Sequence, residues 1–262
     1  MKALMILAAA GILWTVSISQ EAKKGQMKHG GVWAVHDVNE PQPPLVTPGA
    51  KPCQAPSDAI VIFDGKDTSQ LSAEDGGSIK WIVNDEGALQ CTRKAGVVRT
   101  KQEFGSIQLH IEWATPKKIE GAGQGRGNSG IFFQGIYELQ VLCSHENLTY
   151  PDGMAGAIYG QKKPLVNASR PAGEWQTYDV IYHRPIFKGE TNEVIRPATI
   201  TVFYNGVLVQ DNWPIKGTTH HKKTAEYRYH ADKLPLKFQD HNNAVRYRNI
   251  WVREIDDIPA TE

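Results

Sequence analysis

Cysteine is scarce: Cys53, Cys91 and Cys143 are the only three in a chain of 262 residues. That number excludes a disulfide scaffold and allows one intramolecular bridge at most, and no CxxC or Cys/His metal spacing occurs. An excess of charge of either sign is also missing. Lys and Arg number 29 against 28 Asp and Glu, a formal net charge of +1, which argues against an electrostatic nucleic-acid binder. No Walker loop, HExxH or GxSxG is present, and no nucleotide cofactor is expected. The single apolar run, from Ala3 to Ile18 behind Lys2, is shorter than the roughly 20 residues that span a bilayer. Ser17-Ile18-Ser19 supplies a small-x-small pattern, so residues 1–19 read as a secretory signal peptide. The mature protein is expected to be secreted or periplasmic, with no stable membrane insertion after signal removal. Long amphipathic helical patterns are absent too, and the 24 glycines and 15 prolines are scattered, so turns are frequent.

What is present has ordinary globular proportions, with 40% hydrophobic and 22% charged residues. Residues 20–56 form a Pro/Gly-rich N-terminal arm, with prolines at 41, 43, 44, 48, 52 and 56. Residues 57–256 then carry short strand patterns between turn residues, and 257–262 form a tail. Ile107, Leu109, Ile111 and Trp113 alternate with Gln108, His110 and Glu112. In the same way Tyr137, Leu139 and Val141 oppose Glu138 and Gln140. Asn205-Gly206 between two β-rich runs is a strong hairpin signal, because both residues tolerate positive φ. These patterns predict an all-β fold, a jelly-roll β-sandwich of two antiparallel sheets.

One strand face of each sheet is polar, and a polar outer face is ordinarily just solvated. Here its side chains are planar hydrogen-bonding groups: Gln108, Glu112, Gln134, Glu138, Gln140, Arg246 and Arg248. Such groups suit sugar hydroxyls, and aromatic rings suit the C–H face of a pyranose. The aromatic candidates are Tyr150, Tyr159, Trp175 and Trp213; each by itself reads more readily as core or hairpin packing, and the two tyrosines, in a glycine-rich loop stretch, are the better candidates. His241, within Gln239-Asp240-His241-Asn242-Asn243, offers an acid/base group or a metal ligand, or else stabilises a turn. His145 is a weaker candidate, and His220-His221 before Lys222-Lys223 reads as an exposed loop.

Several segments together resemble a known family. They are Ile62-Phe63-Asp64-Gly65-Lys66, Gly127-Asn128-Ser129-Gly130-Ile131-Phe132, Tyr137 to Leu142, Gly156-Ala157-Ile158-Tyr159, Gly173-Glu174-Trp175, Asn205-Gly206-Val207, Gln239-Asp240-His241 and Arg246 to Trp251. In order and spacing they resemble the exported bacterial proteins of the 3-keto-disaccharide hydrolase domain family, which have a concanavalin-like lectin/glucanase sandwich. The resemblance implies a glycoside or oligosaccharide ligand and cleavage of sugars already oxidised at C3. A base removes the acidified C2 proton, the enolate is held by a cation or hydrogen-bond donors, and the aglycone leaves by β-elimination before water adds.

Placed on this chain, the resemblance gives His241 or Glu138 as base and Arg246 or Arg248 as electrophilic stabiliser. Asn128, Gln140 and Tyr159 would position hydroxyls, with Asp240, Glu112 and Gln134 completing the sugar-contacting set. One divalent metal of unspecified identity would be an alternative Lewis acid. The chain departs from the family pattern at Leu71, where a tryptophan is usual, and at Cys143, where an aspartate is usual. The loss of that carboxylate favours the alternative of a non-catalytic lectin-like module on the same face. An ordinary retaining glucanase would need two strand carboxylates about 5 to 5.5 Å apart; Glu138 is the only one in its strand, with Glu112 on another.

Overall fold

The alternating segments do form strands. The computed structural model describes Trp33, Val35, His36 and residues 38–257; the expected signal peptide lies outside the described residues. The chain divides into two units, Met1–Leu45 and Val46–Glu262. Within the first, the described residues form turns and extended backbone, with no helix or strand. Within the second, the strands are β1 (Ile60–Phe63), β2 (Leu71–Ala73), β3 (Ile82–Val83), β4 (Leu89–Gln90), β5 (Val98–Phe104), β6 (Ile107–Ala114), β7 (Ser129–Phe133) and β8 (Tyr137–Val141). They continue with β9 (Gln176–His183), β10 (Ile186–Phe187), β11 (Val194–Arg196), β12 (Thr199–Tyr204), β13 (Val207–Pro214), β14 (Leu234–Phe238) and β15 (Arg246–Glu254). Among the described residues the only helical pieces are 3₁₀ turns at Gly123–Gly125 and Pro151–Gly153, and no helix is long and apolar enough to cross a membrane.

Two antiparallel sheets hold the fold. The larger has eight strands in the order β13-β12-β9-β6-β15-β4-β3, with β1 added beside β15; the smaller runs β2-β5-β14-β7-β8. Their inner faces supply one core, in which Ile111, Trp113, Ile131, Phe133, Leu139, Tyr178, Tyr204 and Tyr247 are fully buried or nearly so. Each such aliphatic or phenyl side chain contributes on the order of 1.5 to 3 kcal/mol on leaving water. Asn205 and Gly206 turn β12 into β13 with φ of 51° and 79°, the twist that a tight hairpin requires.

Buried tyrosines tie the two sheets together. A phenol placed in a core needs a hydrogen-bond partner, and three of them find it across the sandwich. From the eight-stranded sheet, Tyr178 Oη donates to Gln140 O (2.8 Å), Tyr182 Oη to Gln134 Oε1 (2.8 Å) and Tyr247 Oη to Ser129 Oγ (2.7 Å). These bonds fix β7, β8 and the turn between them. The second unit begins before the first strand: Ser57 N donates to Thr47 O (2.9 Å), and the side chains of Asn249 and Trp251 donate to Cys53 O (2.9 and 3.0 Å). The segment from Val46 to Pro56, read from the sequence as the end of the arm, thus lies against the sandwich.

Candidate functional site

Strand β8 has β7 on one side and no strand on the other. An open edge exposes unpaired backbone groups, and here two loops take them up. Gln140 N donates to Ala157 O (3.0 Å), Gly156 N to Gln140 O (3.1 Å) and Tyr159 N to Glu138 O (3.2 Å). Thr219 N donates to Ile136 O (3.2 Å), and Glu138 N donates to Thr219 Oγ1 (3.0 Å). Because Leu139 and Val141 face the core, Glu138 and Gln140 face outward. The loops roof that outward face, so both polar side chains are nonetheless buried, Glu138 at 6% exposure and Gln140 at 1%.

The result is a polar pocket of about 350 Å³, walled by Asn128, Glu138, Gln140, Tyr159, His221 and His241 among others. Its floor is an amide network. Gln140 Nε2 donates to Gln124 Oε1 (2.9 Å) and Gly153 O (3.2 Å), while Asn128 Nδ2 donates to Gln124 O (2.7 Å). Gln140 Oε1 and Gln239 Oε1 are buried acceptors with no donor among the described residues. An orphaned buried acceptor costs about 1 to 3 kcal/mol. Along one wall Tyr150 Oη and Tyr159 Oη are 2.7 Å apart, and Tyr159 Oη is 3.0 Å from His221 Nδ1. Burial and the bond to Tyr150 hold the Tyr159 hydroxyl well above its ordinary pKa, so it remains a proton donor.

Glu138 stands apart in this pocket. Among the described residues no hydrogen bond reaches its carboxyl group, and burial alone raises its pKa from 4.5 to about 8. Gly130, on β7, makes room for it. A Cβ there would collide with Glu138 Oε1 and come within 2.9 Å of the Phe132 ring. Gly153 likewise lets the Tyr150 ring lie against the backbone, since a Cβ would sit 2.6 Å from Tyr150 Cδ2. The two glycines thus give the acid and one aromatic wall their positions.

Of the residues expected from sequence, Asn128, Glu138, Gln140, Tyr159 and His241 come together here, His241 as an exposed rim residue. The others do not. Arg246 and Arg248 flank inward-facing Tyr247 on β15 and therefore point out of the opposite sheet. There both guanidinium groups lie over the Trp175 ring, at 5.2 and 4.0 Å, and pair with Glu86 and Glu112. That placement removes both arginines as partners of Glu138.

Glu112 is cross-strand to Arg248 and committed to it. Burial would raise its pKa, but His110, Asn249 and Arg248 hold it down to about 2. Gln134 is a buried turn residue, bonded to Tyr182 Oη and donating to Asp232 O (2.7 Å). Asp240 organises the loop before β15, accepting from Gly96 N (3.0 Å), Asn242 N (2.7 Å) and the Cys91 thiol (3.3 Å). Cys143 is buried in a separate crevice beside Thr115 and Gly127, so its substitution takes no carboxylate out of this pocket.

Sequence reasoning missed Gln124, Thr219 and His221. The pair His220-His221 was the available signal, but it read as exposed loop because only the long-range pairing of Thr219 along β8 brings this segment inward. Among the described residues no three His, Cys, Asp or Glu side chains converge to hold a metal ion, and no step is assigned to one.

The comparisons with known proteins agree with this fold. The family described as 3-keto-alpha-glucoside-1,2-lyase-like domain matches residues 58–253. A crystal structure of a candidate glycosyl hydrolase from Parabacteroides distasonis ATCC 8503 is 42% identical, with a TM-score of 0.80 over 87% of this chain and 99% of that one. A second from the same organism shares the fold at 18% identity, with a TM-score of 0.55 over 76% and 94% of the two chains. No curated protein matches the chain. The sandwich is therefore of the glycosyl hydrolase-like kind, and the chain belongs to the 3-keto-alpha-glucoside-1,2-lyase-like domain family.

Proposed function

We propose that this protein cleaves the glycosidic bond of glycosides already oxidised to a ketone at C3, in the pocket above β8, after export from the cell. The observation that carries this reading is Glu138, a buried carboxyl group without a hydrogen-bond partner among the described residues, its pKa raised to about 8, in a pocket lined with hydroxyl-binding amides. A desolvated carboxylate is a strong base, and the task here is to abstract a carbon-bound proton made acidic by the neighbouring ketone.

In the proposed reaction Glu138 takes the C2 proton, and the electron pair moves to C2 and C3 to leave an enolate oxygen at C3. The Thr219 hydroxyl accepts from Glu138 N and has no acceptor for its own proton among the described residues, which suits it to donate to that oxygen. The C3 ketone then re-forms as the C1–O bond breaks by β-elimination. The aglycone oxygen receives a proton from the Tyr159–His221 pair, whose atoms are 3.0 Å apart. Addition of water to the resulting 2-hydroxyglycal, OH at C1 and H at C2, completes a net hydrolysis. Gln140, Gln239 and Asn128 hold the ring hydroxyls throughout.

The test is incubation of the purified protein with a 3-keto-glucoside, with and without EDTA, following aglycone and 2-hydroxyglycal by mass spectrometry. Release that is lost in Glu138→Gln supports the reading, and EDTA sensitivity would show a divalent cation to be needed. Saturable binding of 3-keto and ordinary glucosides without release would overturn it in favour of a sugar-binding module.

A further inference from the structure

The pocket does not end at the tyrosine wall. Tyr150, Tyr159 and His221 also border a second cavity of about 620 Å³, completed by Lys216, His220, Lys222 and Lys223, with Asp152 as its one lining carboxylate among the described residues. No described lysine or arginine lines the Glu138 chamber, so charge changes across a wall one side chain thick. Four lysines elsewhere, Lys118, Lys188, Lys233 and Lys237, are neutralised by glutamates at 2.6 to 3.1 Å. Lys222 and Lys223 have no such partner among the described residues, and Lys222 holds a left-handed φ of 56° in a turn at the cavity mouth. His221 spends Nδ1 on Tyr159, and its other ring nitrogen has no partner among the described residues.

The reaction geometry says which part of the substrate meets these cations. The base must reach C2 of the oxidised sugar, so the glycone occupies the Glu138 chamber. The C1–O bond then runs toward the Tyr159–His221 proton donors, and whatever is attached to that oxygen lies beyond them. We propose that the lysine-lined cavity is the aglycone subsite and that it selects glycosides whose leaving group carries an anionic substituent. The inference rests on the lyase reading of the pocket. Unpaired cations in a concave site raise both the local concentration and the residence of an anion.

The test compares two 3-keto-glucosides, those of 4-hydroxybenzoate and of its methyl ester, in the full-length protein and in the Lys222→Gln/Lys223→Gln variant. The wild type is expected to show a kcat/KM ratio of acid to ester that falls ~5- to 10-fold in the variant, because two charges are removed from a solvated cavity. The same ratio should fall in the wild type as NaCl is raised from about 0.05 to about 0.5 M, a readout that does not depend on the variant folding. A ratio unmoved by both the substitutions and salt overturns the inference while leaving the lyase reading intact. If neither glucoside is cleaved, the lyase reading fails. Calorimetric binding of the same pair then decides the inference: salt-sensitive preference for the acid upholds anion selection, and equal affinity overturns it.

Discussion

Replacing Glu138 by glutamine should uncouple the stability of the protein from pH in a defined window. Well below pH 4.5 the carboxyl group is protonated in folded and unfolded chains alike. Burial raises the folded value from 4.5 to about 8, so between these limits the unfolded chain has released a proton that the folded chain still holds. The contribution is therefore fully present below the unfolded value, declines as pH rises and is lost through about 8. Its slope approaches about 1.4 kcal/mol per pH unit, and integration from pH 5 to pH 8 gives a loss of about 3 to 4 kcal/mol. The glutamine side chain carries no titrating proton and is nearly isosteric with the protonated acid. Urea denaturation of both proteins, followed by tryptophan fluorescence at pH 5, 6, 7 and 8, cancels every other titration in the difference. The variant's advantage over the wild type should grow by about 3 to 4 kcal/mol between pH 5 and pH 8. A difference constant to within about 0.5 kcal/mol across that range would show that Glu138 is not desolvated, and the case for it as a strong base would fall with it.

Turnover of a 3-keto-glucoside should drop by about 10² to 10⁴ in Glu138→Gln, and wild-type kcat/KM should rise with pH to a plateau above about 8, the pKa of the buried base; a profile flat from pH 6 to 9 contradicts this. Gly130→Ala should keep its denaturation midpoint, because the atoms a methyl would strike are the ends of the Glu138 and Phe132 side chains, yet should lose about 100-fold in turnover as the carboxyl group is displaced. Arg248→Ala, which opens an ion pair on the far sheet, should stay within about twofold of wild-type turnover; a loss comparable to Glu138→Gln would place the arginine at the chemistry after all. Burial opposes protonation of His110, but Asp179, 2.6 Å away, and Glu112 raise its pKa from 6.5 to about 9. Its stabilisation is full below 6.5 and lost as pH rises through about 9. Since Asp179 is half exposed, Asp179→Asn should flatten that loss by about 1 to 2 kcal/mol in denaturant titrations from pH 6 to 9.

How far the sequence reveals this protein differs between the backbone and the site. Two-residue periodicity depends only on near neighbours, so Ile107 to Trp113, Tyr137 to Val141 and the Asn205-Gly206 hairpin were legible, and with them the sandwich. The same periodicity yields two polar outer faces and nothing to rank them. Glu112, Arg246 and Arg248 have the chemistry of a site as fully as Glu138 and Gln140 do. What separates them is pairing across the sheet. Arg248 stands opposite Glu112 in the β6–β15 register, and each satisfies the other, whereas the cross-strand neighbour of Gln140 is Gly130, which offers no side chain.

That empty place matters twice over. It leaves room for the Glu138 carboxyl group and withholds any counter-ion from it, so burial raises the pKa where an arginine would have lowered it. The roofing loops act in the same direction, since Thr219 and Tyr159 meet Glu138 through its backbone N–H and C=O and leave the carboxyl group unbonded. A planar polar residue across from a charged partner is thus a structural pair, whereas Glu138, across from Phe132 with Gly130 making room for its carboxyl group, and beneath loops that bond only to its backbone, is held in reserve for a ligand. Register is decided by contacts far apart in the chain, so this distinction between the two faces becomes visible only in the folded structure.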